Sequence, residues 1–295
     1  MDIISFGAFT IHLTKIELEK GLSLAEEYLQ TSIDYNRKKS QKNAYIAKAN
    51  ILFWLGHPHE AIDSLDEYKR ISDEDADNAS ALDEALYGMF YMFITFRTCD
   101  EKYKYHRDQL IKFSSLTKDQ FCLAVIYQAL SWQSYFAGLD SDLTLYSRKL
   151  IDLSKKYHFT YYLGIGTIFH GASLTKDDTE QAISLIENGY QIIKDTSNSD
   201  PALMYSIYGL TLCKCYLYAS QTNLFFKIID PLIDTLIEKR ERCYLSNLYM
   251  LKGESYKKSG DSGKASIFFH EALEIARETC NKRIELELIQ LISSL

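Results

Sequence analysis

Four groups of residues in this 295-residue chain have types and spacings that could carry chemistry. His57-Pro58-His59 sets two imidazoles at a turn beside Glu60, but zinc takes three or four such ligands and no further cysteine or carboxylate stands at ligand spacing. The expectation there is a solvated turn. Gly164, Gly166 and Gly171 in LGIGTIFHG suggest a phosphate loop; they lack a preceding strand and a following Lys-Ser/Thr pair, which leaves close helix packing as their reading. Asp177, Asp178 and Glu180 resemble an acidic metal patch, yet they lie where a helix begins, and carboxylates there complement the positive end of the helix dipole. Cys99, Cys122, Cys213, Cys215, Cys243 and Cys280 fit neither a zinc site nor a disulfide framework, so buried free thiols are expected, with Cys213 and Cys215 pointing in different directions on one helix. Trp54 and Trp132 read as packing residues. No Ser/His/Asp, Cys/His or paired-carboxylate set is identifiable, so no catalytic residue, metal or cofactor is expected.

The elements that would position any site are helices. Asn247 to Cys280 reads as two of them: apolar or small residues fall at Tyr249, Gly253 and Tyr256, Gly260-Asp261 breaks the run, and Ala265, Phe269, Ala272 and Ala276 resume it. That is tetratricopeptide spacing, with small residues where the helices approach and aromatic fillers between them. One hairpin cannot bury its own apolar faces and needs neighbours to stack on. The register continues backward through Cys213, Gly171, Leu130, Gly88, Ala49 and Phe9 at gaps of 39 to 42 residues. The period exceeds the usual repeat of about 34. Individual units are degenerate: Phe225 replaces the small residue of the sixth, and the third, around Asp100, fits only in outline.

The spacing predicts an all-α, right-handed α-solenoid of about seven antiparallel hairpins, a single domain over residues 1–295. Three prolines, thirteen glycines and no alternating β-branched runs disfavour a sheet. In chain order the hairpins are Asp2–Thr14 with Ile16–Asp34, Gln41–Leu55 with Glu60–Arg70, Ala81–Thr98 with Glu101–Ser114, Lys118–Ala137 with Asp140–Tyr157, and Thr160–Leu174 with Thr179–Lys194. Asp200-Pro201 opens the sixth as cap and first-turn proline, running to Ala219 and returning over Leu224–Ile237. Lys282–Ser293 is left to cap the last apolar face.

Net charge is −7 and basic residues are dispersed, which excludes a nucleic-acid stripe. No signal segment and no run of eighteen apolar residues occurs, so a cytoplasmic chain off the membrane is expected.

The strings KANILFWLGHPHEAIDSL, RKLIDLSKKYHF, HGASLTKDDTEQAISLIENG and YMLKGESYKKSGDSGKASIFFHEALEIARE, in this order, resemble pieces of the helical-repeat region that follows the ATPase module in bacterial cyclase-linked and transcription-regulator-linked signal-transduction ATPases. The family's cyclase domain and phosphate-cradling module are not in this chain, so the resemblance implies a regulatory scaffold and carries over no catalytic residue.

Function then falls to the concave face built by the first helix of each hairpin. The register points Asn43, Asn50, Tyr127, Ser131, Ser134, Lys214, Asn247, Glu254 and Lys257 into that groove, where asparagines, hydroxyls and charges can grip a peptide backbone. The favoured expectation is a non-enzymatic scaffold for a protein or peptide partner, able to self-associate. The alternative is a small-molecule-responsive sensor acting on a separate ATPase or cyclase. Lys38 and Lys39 are expected in a loop outside the groove.

Overall fold

The computed structural model describes residues 18–74, 80–197 and 202–295. Among them are fourteen helices and no strand: α1 (Leu18–Asp34), α2 (Lys38–Leu55), α3 (Pro58–Glu74), α4 (Ala81–Arg97), α5 (Lys102–Leu116), α6 (Gln120–Ala137), α7 (Asp140–Tyr157), α8 (Thr160–Ser173), α9 (Thr179–Ser197), α10 (Ala202–Tyr218), α11 (Thr222–Glu238), α12 (Leu245–Lys258), α13 (Ser262–Glu278) and α14 (Lys282–Ser293). The first expected helix, with its Phe9 register position, and the Asp200-Pro201 cap lie outside the described residues.

Local chemistry sets most boundaries. Gly56 and Gly138 adopt φ of 85° and 69°, the left-handed conformation that closes α2 and α6. After Gly56, the His57 N–H bonds the Leu52 carbonyl at 2.8 Å, and Pro58 enters α3 at its first position, where a missing N–H costs little. Asp119, Asp261 and Asn281 accept from backbone amides at the starts of α6, α13 and α14. Asp178 does the same for Gln181 in α9, which accounts for that acidic cluster. Lys38 and Lys39, expected in a loop, instead form the first turn of α2, and Lys38 pairs with Glu74 at 3.2 Å.

Consecutive helices pack as antiparallel hairpins in two layers. The inner layer is α2, α4, α6, α8, α10, α12 and α14, each touching the next inner helix; the odd-numbered helices lie outside. Outer helices bury one stripe, as α7 does with Leu143, Tyr146, Ser147, Leu150 and Ser154. The inner helices from α2 to α12 are more fully buried: every residue of α4 from Gly88 to Phe96 is buried, whereas the last, α14, buries one stripe around Ile284 and Leu288. That difference requires something to cover the inner layer from within.

The register of small residues is visible as contact. A β-carbon at Gly253 would stand 2.4 Å from the Phe269 ring, and one at Gly164 would stand 2.6 Å from the carbonyl of Gly189 on α9. The glycines of LGIGTIFHG are therefore packing residues. Gly253→Leu should lower the unfolding free energy by about 3 kcal/mol or fold poorly, as overpacking does, whereas Glu274→Leu, on the exposed side of α13, should change it by under about 0.5 kcal/mol. Equal urea midpoints for the two variants would refute this contact.

The thiols depart from expectation in part. Cys122, Cys213, Cys215 and Cys243 are buried, but Cys99 is exposed and Cys280 half-buried. Both sit in the tight turns after α4 and α13 at φ of 59° and 51°, which keeps them out of the layers between helices.

Candidate functional site

The helix stack closes on itself. α14 packs against α4, and the segment between α11 and α12 inserts between the two ends of the stack. There the Trp54 carbonyl, at the end of α2, accepts from the backbone N–H groups of Arg242 at 2.9 Å and Cys243 at 3.2 Å. Arg97 donates to the carbonyl of Cys243 while lying over the rings of Phe53 and Tyr244, 5.6 and 5.9 Å from their centroids. Arg240 pairs with Glu19 of α1, and Arg242 with Glu278 of α13.

This closure explains the fuller burial of the inner helices. Trp54 and Trp132 pack 5.6 Å apart, Phe93 lies 4.8 Å from Trp132, and Phe136 stacks on Tyr244 at 5.1 Å. An aromatic cluster drawn from α2, α4, α6 and the inserted segment thus fills the axis of the ring. Glu241, in the same segment, is 1% exposed, and burial raises its carboxyl to about 8, against opposing effects of Ser206 and Lys239.

Beside the cluster remains a pocket of about 300 Å³, lined by aromatic side chains and by Arg97, Gln133, Lys214, Asn247, Glu254, Asn281, Arg283 and Glu287. The Lys214 ammonium lies 4.7 Å from the Tyr135 ring centroid. Burial lowers its pKa, opposed by Glu287 and Glu254; burial raises that of Glu254, reinforced by Glu287. Arg283 stacks on Phe96 at 4.5 Å and Glu287 is exposed at the rim. The lining holds no histidine, serine or cysteine.

The structure brings Lys214, Asn247 and Glu254 together in this pocket and separates the other expected groove residues from it. Ser131 and Ser134 are fully buried, Ser131 donating to the Tyr127 carbonyl one turn back, so neither faces a groove. Tyr127 turns to the α6–α7 side, stacked on Tyr146 with the Lys149 ammonium 5.6 Å away. Asn50 accepts from the indole N–H of Trp54 at 2.9 Å, Asn43 is half-buried toward the start of α2, and Lys257 donates to Ser294 at 2.7 Å. An open groove was expected because the register treats each hairpin as a copy of its neighbour. The ring closes instead, and aromatic side chains occupy the space.

Trp132 and Tyr244, Arg97 and the Arg283/Glu287 pair are site residues that spacing did not indicate. Arg283 and Glu287, four apart in α14, form a legible charged face, but nothing in the sequence places that face opposite Lys214. His57 and His59 are exposed, with His57 3.9 Å from Glu60, and among the described residues no cluster of three or more His, Cys, Asp or Glu could hold a metal. No helix among them is long and apolar enough to cross a membrane.

Comparison with curated proteins gives no match for the chain. Residues 246–279, which span the α12–α13 hairpin, match the family model described as tetratricopeptide repeat, which suggests a protein-interaction module.

Proposed function

We propose that the chain is a non-enzymatic protein-binding scaffold that engages its partner on the face around the pocket mouth. The observation supporting this is the arrangement there of Lys214, Glu254, Arg283 and Glu287, charges of both signs around an opening in an otherwise filled ring. Mixed charge at a rim steers encounter and selects partners by complementarity. A filled axis leaves no continuous groove for an extended peptide, so the partner meets the rim as a folded surface. A separate ATPase or cyclase chain is the partner class that the sequence resemblance brings to this reading. The pocket favours, as a second reading, a sensor in which a bound small molecule biases how such a partner is held.

The test is affinity capture from the native host with mass spectrometry. Arg283→Glu with Glu287→Lys reverses two rim charges on α14 and leaves Lys214 in place; it should reduce capture of the partner at least tenfold. The control, Lys38→Glu with Lys39→Glu on the first turn of α2, should leave capture within twofold. Loss in the control with full capture by the rim variant would place binding on another surface.

A further inference from the structure

We infer that the central pocket is a binding site for a small hydrophobic monocarboxylate, its acid group on Lys214 and its apolar or aromatic body against Trp132, Phe136 and Tyr244. The volume, about 300 Å³, is at the small end of organic-ligand pockets. Its wall combines seven aromatic side chains with charged and amide groups, so a ligand with an apolar body and one ionised group fits its chemistry.

Three of the polar lining groups are already engaged, which leaves Lys214 with Asn247 and Arg283 to meet a ligand. Arg97 is committed to the Cys243 carbonyl, the Gln133 carbonyl oxygen accepts from Arg107 at 3.1 Å, and the Asn281 side chain caps α14. Lys214 has no carboxylate within ion-pair distance among the described residues and rests on a ring face. Tyr135 beneath it carries a hydroxyl that is buried without a partner. A desolvated ammonium with no carboxylate in ion-pair reach is a donor awaiting an acceptor. A carboxylate suits it better than a phosphate, because Glu254 and Glu287 are close enough to act on Lys214 and would repel a dianion. The aromatic wall supplies the remaining free energy through burial of an apolar body.

This site goes beyond the partner reading and stands or falls separately from it. Trp54 and Trp132 are the only tryptophans and lie in contact, and Trp132 lines the pocket, so fluorescence excited at the indole edge reports occupancy with no label. Titration uses 3-phenylpropionate, with phenethylamine as the probe of matched body and opposite charge. Saturable quenching by phenylpropionate, at least tenfold stronger than by phenethylamine, is expected, with a ligand-dependent rise in Tm. Lys214→Met, which keeps the stem and removes the charge, should weaken phenylpropionate at least tenfold; Lys155→Met on exposed α7 should not. A capped pentapeptide ending in phenylalanine separates the two sources of such a carboxylate. Binding as tight as the free acid points to a chain end and weaker binding to a free molecule, and both uphold the site. No saturable signal with phenylpropionate, or equal binding of the amine, overturns the proposal even if the Lys214 variant fails to fold. Failure of the wild-type chain to capture any partner, with intact phenylpropionate binding, would count against the scaffold reading alone.

Discussion

Glu241→Gln should remove one component of the pH dependence of stability between about pH 5 and 8. The carboxyl is buried in the segment that joins the two ends of the ring, its Oε1 has no hydrogen-bond partner, and burial raises its pKa from 4.5 to about 8. A raised pKa means that the folded state binds a proton that the unfolded state has released. Stability is fully present below the unfolded value and is lost as pH rises through the folded one. Within that window the loss is about 1.4 kcal/mol per pH unit, so from pH 5.5 to 7.5 the wild type should lose about 3 kcal/mol through this residue. The glutamine variant should lack this component. Glu254 shifts in the same direction, so the difference between the two proteins at each pH isolates Glu241. Denaturant unfolding at a series of pH values measures it, and parallel curves for wild type and variant would show that Glu241 ionises freely in the folded ring.

Arg97→Met should cost about 3 kcal/mol, from a charge-assisted hydrogen bond of about 2 and cation–π contacts of about 1. The guanidinium holds the Cys243 carbonyl and spans the rings of Phe53 and Tyr244, so its loss leaves a carbonyl unpaired at the ring closure. Methionine keeps the apolar stem, which separates this loss from cavity formation. The expected signature is a lower denaturation midpoint with greater exposure of Trp54 and Trp132 to an aqueous quencher before global unfolding. A change below about 0.5 kcal/mol, the range of ordinary surface substitutions, would show that the closure does not depend on Arg97.

Much of the architecture was legible because it is local. Helix ends at Gly56 and Gly138, the first-turn Pro58 and the small residue at Gly253 facing Phe269 each depend on neighbours within one hairpin. The hairpin at residues 246–279 could therefore be read from spacing, and so could the helices of its degenerate neighbours. Lys38 and Lys39 were misplaced for a related reason: basic residues carry no start signal, and Arg37 makes no side-chain cap, so α2 begins three residues before the apolar pattern does.

The site was not local. Whether stacked hairpins make an open groove or a closed ring depends on small rotations accumulated over every interface, and a sequence register assigns all of them the same value. Asn247 and Glu254 entered the pocket as the register suggested, whereas Ser131 and Ser134 are fully buried. The amino-acid sequence by itself determined the helices, their pairing and their small-residue contacts, because hydrogen bonds and side-chain packing within one hairpin suffice for those. Only the tertiary structure decided that Trp54 meets Cys243, that α14 meets α4, and that Lys214 stands among carboxylates without a partner, because those contacts exist only once the chain has turned back on itself.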